Sequence, residues 1–161
     1  MGKLLGCSSY FLQLVSPVAR FILYRIAEDF HIGVSLDPKL VPGDWYGAGA
    51  HVNFSTAAMR APGGLSVIES AMAKLAFRHA EHIAHYDPNG GADNRRRLTG
   101  TRCTAPIEAF SFAVDSRFTS VRIPRLVALA GCGYLEDRRP AANSDPYKVT
   151  ELLVKTVCLA D

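Results

Sequence analysis

At 161 residues, the chain is long enough to bury one hydrophobic core but short for two domains. Its composition of 48% hydrophobic and 20% charged residues excludes a disordered chain, and a net charge of +3 is too small to indicate a polyanion-binding protein. The apolar stretch at 10–18 is too short to span a bilayer. We therefore expect one globular domain, with no nucleic-acid partner and no membrane partner.

Cysteine usage predicts the compartment. The four cysteines lie far apart and form no CxxC or Cys/His metal-binding spacing. Structural disulfides are therefore not expected, and a reducing, cytoplasmic location is predicted. The start Met1-Gly2 is similar to an N-myristoylation signal, but Gly6 stands where that signal has Ser or Thr, which disfavours lipidation.

Hydrophobic periodicity predicts the elements of the first half. Apolar residues at helical spacing indicate an amphipathic helix at 18–30, and a short apolar run indicates a strand at 32–36. After a glycine-rich turn at 47–49, alternation indicates a strand at 51–55. The longest apolar stripe of helical period covers 65–85.

The second half contains shorter elements. The segment 87–94 is rich in turn residues, and a helix begins where Asp145 can cap its N-terminus and Pro146 can occupy its first position. The remaining predictions are strands at 110–114, 120–123 and 134–136, and a last helix from Pro146 to about residue 159. Short strands interrupted by long helices predict an α+β fold, with a curved, largely antiparallel sheet backed by helices.

The segment YLEDRRPAANSDP at 134–146 concentrates charge between a predicted strand and a predicted helix start. Glu136, Asp137, Arg138 and Arg139 are consecutive. A carboxylate can hold a divalent cation, and a guanidinium can bind a carboxylate or phosphate with two parallel hydrogen bonds. Because burying such groups without partners is costly, the segment predicts a binding site.

Three further stretches carry matching chemistry: GDWYGAGAHVNFS (43–55), YDPNGGADNRRRLTG (86–100) and SRFTSVRIPR (116–125). In this order and spacing, the four stretches resemble the catalytic domain of eukaryotic-type glutamine synthetase from about Val18 to the C-terminus. The resemblance implies that 18–161 form the C-terminal part of that catalytic domain. Residues 1–17 do not resemble the family and are predicted to be an unrelated segment, and the family's N-terminal domain is not expected in this chain.

The resemblance implies ATP-dependent ligation of ammonia to L-glutamate through a γ-glutamyl phosphate, with Mg²⁺ or Mn²⁺. Matched residue by residue, the implied metal ligands are His51 and Glu136. The implied glutamate-binding residues are Asp44, Trp45, Arg117 and Arg138, and the implied catalytic arginines are Arg97, Arg117 and Arg122. The implied nucleotide-binding residues are Asn53, Phe54, Ser55, Arg117, Arg122, Tyr134, Leu135 and Glu136.

Taken singly, some of these residues have structural interpretations. A lone strand histidine such as His51 is more often structural, and an arginine run such as 95–97 is usually a solvated surface. The three-residue spacing of His79, His82 and His85 suggests a metal site, but no carboxylate or cysteine completes the set. A solvated helix face is therefore the favoured interpretation of these three histidines.

The chain departs from the family pattern at three positions around the implied glutamate site. Cys103, preceded by Arg102, replaces a glutamate that handles ammonium, while Asp44 and Tyr46 each replace an asparagine. A thiol is largely neutral at pH 7 and an adjacent guanidinium repels a cation, so the second half-reaction is expected to be impaired.

We therefore expect that the polypeptide alone does not turn over, and that it does not build the homo-oligomeric ring of the family. The alternatives are a non-catalytic protein that binds nucleotide or associates with full-length subunits, and a truncated product without a stable fold, because unpaired strand edges favour aggregation.

Overall fold

The computed structural model describes the backbone of residues 9–159 and the side chains of residues 16–159. The helices are α1 (Ser9–Asp29), α2 (Ala57–Arg60), α3 (Leu65–Phe77), α4 (His79–His85), α5 (Ala92–Arg97), α6 (Arg125–Ala130) and α7 (Pro146–Val154), which continues as a π-helical turn at Lys155–Leu159. The strands are β1 (Val52–Phe54), β2 (Phe112–Val114), β3 (Val121–Ile123) and β4 (Leu135–Asp137). The predicted α+β class is confirmed.

The four strands form one open sheet in the order β1-β4-β3-β2. The pairs β1–β4 and β3–β4 are antiparallel, whereas β2 and β3 are parallel, so the sheet is mixed but largely antiparallel. Only residues 115–120 connect the parallel pair. This short return suffices because each strand has three residues and spans only about 10 Å.

One face of the sheet covers the hydrophobic core, which α3 and α7 complete. Alternate strand residues point to opposite faces, so Leu135 enters the core while Glu136 lies on the other face. The main core side chains are Val52, Phe54, Val121, Ile123 and Leu135 from the sheet, Ile68, Met72 and Leu75 from α3, and Val149, Leu152 and Leu153 from α7. The opposite face of the sheet is left for the candidate site.

The N-terminal region differs from its prediction. Helix α1 begins at Ser9 and continues through Pro17, so it crosses the predicted boundary between the unrelated segment 1–17 and the domain 18–161. That division of the chain stays a prediction. Residues 1–8, with Met1-Gly2 and Cys7, lie outside the described residues. The strand predicted at 32–36 is wrong: after α1 the Ile32 amide donates back to the Ala27 carbonyl, and the segment joins no sheet of the described chain.

The helix predicted at 65–85 divides at Arg78, whose φ of −98° and ψ of 17° separate α3 from α4. Three short helices were not predicted: α2 follows β1, α5 begins at Ala92 within the turn-rich segment predicted at 87–94, and α6 follows Pro124. The strands predicted at 51–55, 110–114 and 120–123 are present with shorter bounds, and the strand predicted at 134–136 lies one residue later, at Leu135–Asp137.

Helix α1 is attached to the rest of the chain through Arg20. Its guanidinium donates to the carbonyl oxygens of Ser144 at 3.0 Å and Ala142 at 2.9 Å. Several large apolar side chains of α1 remain exposed, Phe21 among them. No helix within residues 9–159 is long and apolar enough to cross a membrane.

The start of α7 follows its sequence prediction and supplies a first test. The Asp145 Oδ1 accepts a hydrogen bond from the Tyr147 amide at 2.8 Å, and Pro146 occupies the first turn. We expect Asp145→Ala to lower the free energy of unfolding by about 1 kcal/mol in urea denaturation, because the cap is lost. Asp145→Asn retains an acceptor and should cost much less; equal losses in both variants would contradict a capping role.

Candidate active site

The sheet register brings together residues from three separate sequence stretches. Glu136 of β4 is paired with Asn53 of β1 on one side and with Arg122 of β3 on the other. All three lie on the face opposite the core, because their strand neighbours point inward. A predicted metal ligand and two predicted nucleotide-binding residues therefore form one row across the sheet.

Glu136 is the centre of a charged cluster on this face. The Nε of Arg122 donates to its Oε2 at 2.5 Å, and the Nη1 of Arg138 donates to its Oε1 at 3.1 Å. The Nδ1 of His51 lies 3.2 Å from the same Oε1. Only 9% of the Glu136 side chain is exposed, so its single negative charge is compensated by two guanidinium groups in a partly dehydrated setting.

His51 is held uncharged by this environment. Burial and the adjacent Arg138 guanidinium lower the pKa of His51, and together they outweigh the opposing effect of Glu136. Its Nδ1 lies 3.3 Å from the Nη1 of Arg138 and 3.2 Å from Glu136. A neutral imidazole is the form that coordinates metals, so the chemistry of the side chain agrees with its predicted role.

Arg138 is almost completely buried, with 7% of the residue exposed. Its Nη2 donates to the carbonyl oxygens of Cys103 at 3.2 Å and Arg117 at 3.4 Å. Its Nε is buried and has no hydrogen-bond partner among the described residues. Because an unpaired buried donor is unfavourable, a bound carboxylate or phosphate would be stabilised at this side chain.

The cluster does not amount to a divalent-metal site by itself. His51 and Glu136 supply two ligands, and no group of three or more His, Cys, Asp or Glu side chains in the described part of the chain is arranged to hold a metal ion. Both Glu136 oxygens already accept hydrogen bonds from arginines. Mg²⁺ prefers six oxygen ligands, so the residues present do not fit the ion without further ligands.

A groove of about 490 Å³ lies beside the row, next to β3 and β4. Arg122 and Tyr134, both predicted to bind nucleotide, line it, and so does Arg125. Tyr134 is 37% exposed and offers an aromatic face, while the two arginines offer cationic donors. The groove therefore offers aromatic and cationic contacts, and Asp115 adds a carboxylate to its lining.

The other predicted nucleotide-binding side chains lie elsewhere. Phe54 and Leu135 are 3% and 0% exposed in the core, so they could contact a nucleotide only through their backbone. Ser55 is buried and its Oγ accepts a hydrogen bond from Arg60 at 2.8 Å. Only Asn53 of this strand presents its side chain on the face of the row.

Arg97 is placed behind the site, where it supports the backbone after β4. Its Nη2 donates to the carbonyls of Arg139 at 2.6 Å and Pro140 at 3.2 Å, and its Nε to Asn94 Oδ1 at 2.9 Å. A Cβ on Gly47 would lie 2.6 Å from the Arg97 Cγ, so the glycine-rich turn makes room for this side chain. Burial, with a smaller contribution from Arg138, lowers the pKa of Arg97 to about 10, which leaves it charged at neutral pH.

The predicted glutamate-binding residues are only partly brought together. Arg138 lies in the cluster, and Arg117 approaches it through its carbonyl oxygen while its side chain is exposed. Trp45 is 60% exposed, so it is not a core residue. Asp44 is also exposed, and its carboxylate accepts a hydrogen bond from the Nε of Arg102 at 2.6 Å.

A buried polar network on the opposite face of β4 was missed in the sequence. Arg139 donates from Nε to Asp137 Oδ1 at 2.9 Å and from Nη2 to Oδ2 at 2.8 Å, and the Tyr86 hydroxyl donates to Oδ2 at 2.8 Å. His82 is fully buried, with its Nδ1 2.7 Å from that hydroxyl and its Nε2 2.8 Å from Thr156 Oγ1. The predicted solvated histidine face is therefore wrong for His82. The sequence signal was that each carboxylate in Glu136–Arg139 is followed two residues later by an arginine. Residues two apart share a face of a strand, so the segment forms one ion pair on each face.

Comparison with known proteins identifies relatives of this sequence. No protein-family model matches the chain. Over 142 residues, 88% of its length, the chain is 58% identical to the glutamine synthetase of Panulirus argus, 57% identical to that of Xenopus laevis and 56% identical to that of Homo sapiens. It spans 39%, 36% and 38% of these three proteins, respectively. The chain is therefore homologous to part of glutamine synthetase, as its four charged and glycine-rich stretches predicted.

Proposed function

We propose that this chain is part of a cytoplasmic ATP-dependent ligase that joins ammonia to L-glutamate through a γ-glutamyl phosphate. The observation that carries the proposal is the row of Asn53, Glu136 and Arg122, with Arg138 beside it and the Tyr134 groove at its edge. Homology to glutamine synthetases supports the same reaction.

The arginines supply the binding chemistry in this proposal. Guanidinium groups bind carboxylates and phosphates with two parallel hydrogen bonds, and phosphoryl transfer depends on cations fixed around the transferring group. Arg138, with its unpaired Nε, holds a carboxylate of glutamate, and Arg122 and Arg117 contact the phosphates. Tyr134 and Asn53 complete the nucleotide site. Arg97 positions Arg138 by holding the carbonyl oxygens of the backbone that follows it.

Mg²⁺ or Mn²⁺ belongs to this proposal only for an assembled enzyme. His51 and Glu136 are the two residues of the described chain that would contribute to the ion, and further ligands would come from the nucleotide and from other parts of the enzyme. The family's oligomeric ring is likewise proposed for the assembled enzyme.

ATP binding to this chain tests the proposal. We expect Arg122→Gln to weaken ATP binding about tenfold or more in calorimetry, since a charge-assisted hydrogen bond is lost. Arg95→Gln is the matched control. Arg95 is an exposed arginine whose Nη1 lies 2.7 Å from Glu108 Oε1, and it does not line the groove. Equal effects of the two substitutions, or no ATP binding by the unsubstituted chain, would contradict the proposed nucleotide site.

A non-catalytic nucleotide-binding protein is the second candidate. Both oxygens of Glu136 are already bonded to arginines, and Cys103 stands where the resemblance implies a glutamate. This candidate predicts ATP binding without γ-glutamyl transfer by the pure chain. Transfer by the pure chain that Arg138→Ala abolishes would exclude it, and would also contradict our expectation that the polypeptide alone does not turn over.

A further inference from the structure

We propose that Asp44, Tyr46 and Arg102 form a latch that holds residues 99–106 closed over Arg138. The Arg102 guanidinium donates from Nε to Asp44 Oδ1 at 2.6 Å and from Nη2 to Asp44 Oδ2, a two-pronged ion pair. Its Cζ also lies 5.5 Å from the centroid of the Tyr46 ring, within cation–π range. The latch thus joins two segments that are 58 residues apart in the sequence.

The segment that the latch holds has an unfavourable backbone. Arg102 has a φ of 48° and Cys103 a φ of 60°, and such left-handed conformations are uncommon for residues other than glycine. Two in succession persist only when surrounding contacts favour them. The latch provides those contacts at Arg102, and the bond from Arg138 Nη2 to the Cys103 carbonyl at 3.2 Å provides one at the next residue.

The closed latch opposes ligand binding at Arg138. While the Cys103 carbonyl accepts from Nη2, that donor is not available to another acceptor, and Arg138 is only 7% exposed. A carboxylate or phosphate that binds with two parallel hydrogen bonds, through Nε and Nη2, must displace a carbonyl from Nη2, and release of the Cys103 carbonyl requires the turn at 102–103 to move.

Amide hydrogen exchange in the full chain, without ligand, tests the latch. The Thr104 amide donates to the Thr101 carbonyl at 3.0 Å and reports on the closed turn. We expect Asp44→Asn and Tyr46→Leu each to speed its exchange roughly fivefold, because local opening becomes more frequent. Glu108→Gln is the control. It removes the charge that pairs with Arg95 in another exposed ion pair, and it should leave the exchange rate of the Thr104 amide unchanged.

A charge exchange makes the test independent of side-chain loss. Asp44→Arg and Arg102→Asp should each speed the exchange of Thr104, and the double variant should return it toward the original rate. Unchanged exchange in the single variants, or a double variant as fast as the singles, would overturn the latch. Because all three positions are exposed, circular dichroism of each variant should match the original chain.

A separate measurement connects the latch to the proposed function, on which this part of the inference rests. Tyr46→Leu should tighten L-glutamate binding by the same factor by which it speeds exchange, because the apparent affinity scales with the open population. Faster exchange without any glutamate binding would contradict the proposed function and leave the latch supported.

Discussion

Replacing Arg139 with alanine is expected to lower the free energy of unfolding by about 3–5 kcal/mol, because the Asp137 carboxylate then remains buried without its cation. Asp137 and Arg139 are 0% and 1% exposed. Burial alone would raise the pKa of Asp137, but the Arg139 guanidinium outweighs it and holds that pKa below the usual range. Urea denaturation, monitored by circular dichroism, measures this decrease in the free energy of unfolding.

Two further variants distinguish the effect of breaking the buried ion pair from a general effect of removing an arginine. Arg95→Ala breaks an exposed pair with Glu108 and should change the free energy of unfolding by no more than about 1 kcal/mol. The double variant Asp137→Leu with Arg139→Met removes both charges and should recover much of the stability that Arg139→Ala loses. A loss in Arg139→Ala no larger than in Arg95→Ala would refute this account of the network.

The second large effect is a loss of stability in mild acid. Burial, and then the Arg139 guanidinium, lower the pKa of His82 from 6.5 to about 3. The unfolded chain therefore takes up a proton below pH 6.5 that the folded chain refuses until about pH 3. Stability from this group is complete above pH 6.5 and falls through that window, at a slope approaching about 1.4 kcal/mol per pH unit.

Urea denaturation at pH 7 and at pH 4.5 measures this slope. His82→Gln cannot titrate and should flatten the difference, whereas His85→Gln, on an exposed side chain of the same helix, should preserve it. A smaller slope should remain in His82→Gln, because burial also lowers the pKa of His79 and of His51. If the full slope persists in His82→Gln, His82 is not the group responsible.

The elements that the sequence predicted well are those with strong local signals. Asp145 and Pro146 specify the start of α7 through chemistry contained in the first turn, and Pro124 ends β3 because it cannot donate to a ladder. The strand predicted at 32–36 had the composition of a strand but no neighbouring strand to pair with in the described chain, and composition alone does not supply one.

The candidate site was predictable only in part, since its geometry depends on contacts distant in sequence. The resemblance identified Arg122, Arg138 and Glu136, and the sheet register explains why they meet. The position of Arg97 depends on carbonyl oxygens more than 40 residues away, which no local pattern reveals. His82 likewise became a core residue because Tyr86 and Thr156 offer it partners.

Strand β4 bears one ion pair on each side, so the spacing between Leu135 and Pro140 cannot change. Glu136 and Arg138 lie on the face of the candidate site, and Asp137 and Arg139 lie on the core face. Inserting a single residue directly before Glu136 would shift the register and send both pairs to the opposite side. Both chemistries would be lost at once, because the core would receive the site residues and the site would receive the core pair. A substitution at one of these positions affects the ion pair on one face, whereas this change in length would disrupt the ion pairs on both faces.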